Sequence, residues 1–376
     1  MNDTCTNERI ALDVTADAAS APVVAPPPRR RGGNPLALKK AHYESIGSHA
    51  VALRSSLETL RLMDRLRFVR ALDVAFHLYA KRTLSAALAA TGHLMRRLVR
   101  DGLVSTHTSR IGAMRIYGIA QRGVNFLRDH TGHEAKAHRS LKAIRNPEHR
   151  LWANLVVIAA EARGLVGMTE SEVLRYEREI GERVRGADGE EQVIPRKLLT
   201  VINRAKPGTR KGLTPDALLL YHGTERVWVE HDNSARSATR ASEIRELFRS
   251  VGTQFCDGTR LARVVVHTRE RRFYTHITGI LKKMAQERIE RASTFVVPTL
   301  TDGVFDIWYR PSIAEDRPGA PAEDFCCGRV QVAMLPDIRG KREGWYDSDW
   351  LPFAQLDEAL WPPAAIRHDE DILSAP

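Results

Sequence analysis

The chain has 376 residues, 43% of them hydrophobic, which is enough apolar material for two or three folded domains. Its 57 Lys and Arg against 46 Asp and Glu give a net charge of +11. No stretch approaches the roughly 18 uninterrupted apolar residues of a membrane span, so a membrane-spanning chain is excluded and a soluble, cytoplasmic one with no membrane partner is expected.

The positive charge is concentrated. Residues 61–150 hold 18 Lys and Arg against 6 acids, a local net of +12, and a polyanion is the expected partner. Cys5, Cys256, Cys326 and Cys327 lack the paired spacing of metal ligands and read as reduced thiols. Residues 1–57 read as a mobile basic arm: an Ala/Val/Pro-rich start ending in Pro26-Pro27-Pro28, then Arg29-Arg30-Arg31 and Lys39-Lys40.

From about residue 58, Leu62, Leu66, Val69, Leu72 and Phe76 recur at helical spacing and predict one amphipathic helix. Thr83 is placed to cap a short helix to about Ala90. Thr91-Gly92 predicts a break, and a second helix is expected from His93 to Asp101, closed by Gly102. Val104–His107 and Arg115–Ile119 alternate as strands around Gly112, and Gln121–Arg128 reads as a closing helix. The region 58–130 is therefore expected to be a winged helix-turn-helix. A basic linker follows at 131–147, then an amphipathic helix His149–Arg163 bearing Leu151, Leu155 and Ile158 on one face. Residues 165–212 are charged and ambiguous. Strands Pro215–Tyr221 and Arg226–Asp232, helix Ala238–Val251, strand Leu261–Thr268 and helix Phe273–Glu290 complete an α/β domain over 148–300, with a C-terminal extension at 301–376 containing a strand at Val304–Tyr309. The fold class expected is α/β, or α+β over the whole chain.

A helix entering the major groove projects long donors from one face while the other holds the core. With Leu94 and Leu98 inward, His93, Arg96, Arg97 and Arg100 are left for a duplex, and Arg110 and Arg115 of the wing for flanking phosphate. The competing readings are a solvated basic face on a structural helical domain and a winged domain that serves as a protein-interaction module.

The second constellation is Thr214-Pro215-Asp216 followed by Val229-Glu230-His231-Asp232. Metal-dependent DNA cleavage needs acidic oxygens converging on Mg²⁺, and two neighbouring strands can supply them. Register decides. A two-residue turn at Gly223-Thr224 sets Asp216 opposite His231 with Glu230 on the other face, whereas a three-residue loop including Glu225 sets Asp216 opposite Asp232 with Glu230 on the same face. Glu161 on the preceding helix offers a further oxygen. His130, His133 and His138 show no zinc-ligand pattern, and no Walker or dinucleotide motif appears.

The order winged helix, basic linker, helix, then TPDALLLYHGTERVWVEHDNSARSATRASEIRELFRSV resembles the replication-relaxation family of plasmid mobilisation proteins, over roughly residues 58–290. The second domain of that family is similar to the PD-(D/E)XK nuclease fold, which is restriction-endonuclease-like. The resemblance implies Asp216, Glu230 and Asp232 as catalytic positions, Asp216 and Glu230 as Mg²⁺ ligands, and double-stranded DNA and relaxation-complex proteins as partners. An active nuclease of that fold has lysine two positions beyond Glu230; here it is Asp232, with Arg236 or Arg240 as substitute cations. The rival expectation is a winged-helix transcriptional regulator whose second domain senses or dimerises without catalysis.

Overall fold

A computed structural model of the chain describes residues 46–108, 115–137, 141, 147–162, 164–185, 190–202, 208–221, 223–232, 238–287, 293–310 and 324–335. The first apolar stripe, expected as one helix, is two: α1, Ile46–Leu66, and α2, Ala71–Tyr79. The chain reverses between them at Arg67, whose φ of 69° is left-handed and ends the helix. Val69 belongs to neither helix. It exchanges both backbone hydrogen bonds with Tyr117, at 2.9 Å each, so its apolar side chain enters the core from an extended segment.

Helix α3, Leu84–Arg100, starts after a turn at residues 80–83 and runs unbroken through Thr91-Gly92. The expected break there is overridden because Ala87, Leu88, Leu94, Met95 and Leu98 bury along one continuous face. That burial outweighs the roughly 1 kcal/mol that a mid-helix glycine costs. The turn between the two helices therefore sits at 80–83 rather than 91–92. Strands β1, Val104–Thr108, and β2, Arg115–Ile119, pair antiparallel, and α4, Gln121–Thr131, follows, as the sequence implies. The hairpin tip, Arg110 included, lies outside the described residues. Leu98 is 1% exposed in this core, so Leu98→Ala is expected to cost about 2–5 kcal/mol through the cavity it leaves, read by urea denaturation.

Helix α5, Pro147–Glu161, departs from its one-faced pattern: residues 151–160 are buried on every side. It lies between two partners. Trp152, Leu155 and Val156 share one apolar cluster with Leu72, Phe76 and Leu98 on one side and with Leu219, Val229 and Val265 on the other. Within the expected linker, Leu141 is buried against Phe68, Ile116 and Leu151. The described residues from Ala52 onward form one compact unit, while of Met1–Val51 only the start of α1 is described.

The ambiguous stretch contains β3, Val166–Thr169, and α6, Glu170–Glu179, then two hairpins: β4, Glu182–Arg185, with β5, Glu191–Ile194, and β6, Leu199–Ile202, with β7, Arg210–Leu213. Next come β8, Ala217–Tyr221, β9, Glu225–Asp232, α7, Ala238–Arg249, β10, Arg260–Thr268, and α8, Arg271–Ala285. Strands β11, Ser293–Pro298, β12, Val304–Arg310, and β13, Phe325–Met334, close the described chain. A seven-stranded sheet has the order β11-β12-β13-β10-β9-β8-β3. It is mixed: β10 runs parallel to both β9 and β13, and the other pairs are antiparallel. Alternation along β9 and β10 sends Val227, Val229 and Val265 to the α5 face, and Trp228, Val264 and Val266 to the opposite one, where Phe248 of α7 and Ile277 of α8 pack. The architecture is α/β with helices on both faces of the sheet, and no described helix is long and apolar enough to cross a membrane.

Candidate functional site

Helix α3 presents Ser85, Ala86, Ala89, His93, Arg96 and Arg100 along one exposed stripe, with Arg82 exposed just before it. Arg96 Nη2 lies 3.1 Å from His93 Nδ1, and Arg100 pairs at the surface with Asp101. Arg115 is exposed at the start of β2. Arg97 is placed otherwise. Its guanidinium donates to Ala52 O at 3.0 Å and Ser56 Oγ at 2.8 Å, fastening α3 to α1. Other arginines of the basic region are internal too. Arg65 binds Glu172, Glu161 and Gly167 O, and Arg70 is buried against Asp73. The raw charge count therefore overstates the cationic surface, but Arg67, Lys81, Arg82, Arg96, Arg100, Arg122 and Arg128 remain exposed.

The acidic constellation lies where β8 begins and the parallel strands β9 and β10 end. Tyr221 pairs with Glu225 across a connection spanning 222–224, and Ala217 pairs with Val229. The ladder ends there, and Asp216, just before β8, donates its N–H to Val229 O at 3.1 Å, which is neither of the arrangements the turn chemistry suggested. The loop closes one residue earlier than a turn including Glu225 requires, with Gly223 at φ 75°.

Every carboxylate oxygen of the pair meets a protein donor. Asp216 Oδ1 is 2.8 Å from His149 Nε2 and Oδ2 accepts the His231 backbone N–H at 2.7 Å. Glu230 Oε1 accepts from Trp228 Nε1 at 2.8 Å, and Oε2 accepts from Arg240 Nη2 at 3.0 Å. Arg240 also reaches Glu243 from α7. Burial alone would raise the Asp216 pKa, but the His149 hydrogen bond and charge hold it below the usual carboxylate value; the same bond raises His149. For Arg240, burial is outweighed by the Glu230 and Glu243 carboxylates, which keep the guanidinium firmly charged. His231 is buried, and that burial pushes its pKa well down, with the His267 charge adding to it. The ring stacks on His267 at 5.1 Å and meets His149 edge-on at 6.0 Å.

The expected Mg²⁺ ligands, Asp216 and Glu230, thus do not fit a hard cation as they stand, because its place at each carboxylate is taken by His149 and Arg240. Among the described residues no three His, Cys, Asp or Glu side chains are grouped to hold a metal ion. Glu161 is remote: it sits at the far end of α5 from His149, about 18 Å along the helix axis, and binds Arg65. Asp232 pairs with Thr268 through the backbone, and its side chain, like Arg236, lies outside the described residues. His149 was not among the expected site residues. Its only local signal is a histidine in the first turn of α5, and its partner is 67 positions away. Beside it a shallow cleft is lined by Arg67, His149, Arg150, Asn154, Glu170 and Asp216, among others.

The chain matches no protein-family model, no curated protein and no solved structure.

Proposed function

We propose that the chain binds double-stranded DNA through a winged helix-turn-helix formed by α1 to α4, with α3 in the major groove. The observation that carries this reading is the exposed face of α3: it bears His93, Arg96 and Arg100 and contains no acid, and its first half exposes only Ser85, Ala86 and Ala89. Small side chains there allow close approach to base edges, and the arginines further along supply phosphate or guanine contacts. The order helix, Val69 bridge, helix, turn, helix, hairpin supports the winged form, since the bridge adds a third extended segment beside β1 and β2.

The α/β portion supports a likeness to the PD-(D/E)XK fold. Its α5, the antiparallel β3-β8-β9 meander and the α7 crossover to parallel β10 form a contiguous half of the sheet. In this reading the protein serves the replication, relaxation or mobilisation of a plasmid or mobile element, together with other proteins of a relaxation complex. The occupied carboxylates favour a DNA-contacting role for that domain over Mg²⁺-dependent nicking.

Anisotropy of a labelled duplex titrated at several salt concentrations tests the reading. Binding is expected to weaken with salt along a straight log–log line of about −0.9 per phosphate contacted. Absence of binding at about 50 mM salt sinks it. Supercoiled plasmid incubated with and without Mg²⁺ is expected to stay supercoiled, and a Mg²⁺-dependent nick would reinstate the nuclease.

A further inference from the structure

We propose that Asp216 and Glu230 serve to hold two donors, His149 and Arg240, for a backbone phosphate of nucleic acid. This inference rests on the DNA reading and extends it to a second contact, on the α/β sheet.

The two acids lie at the same end of the β8–β9 pair, and each grips one nitrogen base: Asp216 takes His149, and Glu230 takes Arg240. Exposure runs in one direction. The Asp216 and Glu230 side chains are 17% and 7% exposed, whereas those of His149 and Arg240 are 40% and 46% exposed. What meets solvent is therefore an imidazole and a guanidinium, with the carboxylates behind them. A hard cation approaching from solvent meets positive charge first, and taking Glu230 would require stripping a guanidinium from a nearly buried carboxylate. An oxyanion meets donors that are already oriented, which is the arrangement that suits a phosphate.

The two pairs lie within each other's field. His149 responds to the Glu230 charge and Arg240 to that of Asp216. Trp228 holds the remaining Glu230 oxygen and Glu243 braces Arg240, so the guanidinium is fixed at both terminal nitrogens, Nη2 on Glu230 and Nη1 on Glu243. His149 also lines the cleft beside it, in which Arg67 is exposed and Arg150 is paired with Glu170.

The test uses the full chain, a labelled duplex of about 20 base pairs and Mn²⁺ followed by electron paramagnetic resonance. Two variants are compared with the wild type: His149→Gln, and Glu230→Gln combined with Arg240→Met, which removes the cation without leaving a buried carboxylate uncompensated. Each is expected to lower the slope of log K against log[salt] by about one unit and to weaken binding about threefold to tenfold at physiological salt. The wild type is expected to leave the Mn²⁺ signal unchanged. Stoichiometric Mn²⁺ binding that disappears in Asp216→Asn overturns the proposal, because the acids would then be metal ligands. Unchanged slopes in both variants, beside a reduced slope in Arg96→Ala with Arg100→Ala, overturn this contact and spare the winged helix. A wild type that binds no duplex overturns both.

Discussion

Asp73→Ala is expected to lower stability by about 3–5 kcal/mol, more than any surface substitution in the chain. Asp73 is 0% exposed at the start of α2 and faces Arg70, which is 5% exposed. Its Oδ1 accepts from Arg70 Nη2 at 2.8 Å, and its Oδ2 accepts the Arg70 backbone N–H at 2.6 Å and Nε at 3.2 Å. The same guanidinium donates to Leu151 O of α5 at 3.0 Å and lies over the Trp152 ring, 5.2 Å from its centroid. Deleting the acid leaves a cation buried beside an apolar helix with one carbonyl for company, and the helix loses the acceptor that capped it. Because Arg70 joins α2 to α5, the loss is shared by the helical region and the sheet. Chemical denaturation should therefore show one transition moved to lower denaturant rather than a new early one. Adding Arg70→Met to Asp73→Ala should recover part of the loss, since both buried charges are then gone. A change below about 1 kcal/mol for Asp73→Ala would show that the pair is solvated, contrary to its burial.

Most local elements were legible because local chemistry decides them. The β1–β2 hairpin, α4, β8, β9, α7, β10 and α8 all carry their own period and end signals. The errors fall where tertiary packing overrides those signals. Gly92 does not stop α3 because the Leu88–Leu98 face is buried as one strip, and the single stripe from Leu62 to Phe76 conceals a reversal at Arg67. Strand β3 and helix α6 were readable in part: Thr169 and Glu172 form a capping box, with the Thr169 N–H donating to Glu172 Oε2 at 2.8 Å, a Thr-x-x-Glu pattern visible in sequence. At the acidic site, residue types were legible and relations were not. Asp216 and Glu230 stand out by motif. Nothing near them in sequence announces that His149, from another element, and Arg240, across the loop after β9, take their oxygens. Charge counting misled for the same reason. Arg65, Arg70 and Arg97 look like surface cations in sequence, but each joins one helix to another element.

That distinction among arginines sets the largest expected effect on binding. Changing Arg82, Arg96 and Arg100 together to Ala should reduce the salt slope by about three units and weaken duplex binding by two orders of magnitude or so at low salt, if each contacts a phosphate. All three are exposed, and none is tied into the core, so thermal stability should stay within about 0.5 kcal/mol of wild type. Arg97→Ala is the internal control. It lies on the same helix, and the notion that any arginine of α3 serves DNA equally would have it behave alike. Its hydrogen bonds to Ala52 O and Ser56 Oγ imply instead a loss of about 1–2 kcal/mol in stability with the salt slope unchanged. The two readouts thus separate contact from support within a single helix. If the triple variant keeps the wild-type slope, α3 does not face DNA, and the small-residue stripe of Ser85, Ala86 and Ala89 belongs to a protein interface. If only Arg97→Ala lowers the slope, the α1 side of α3 faces the duplex, and the helix is turned by about a quarter of a revolution about its axis.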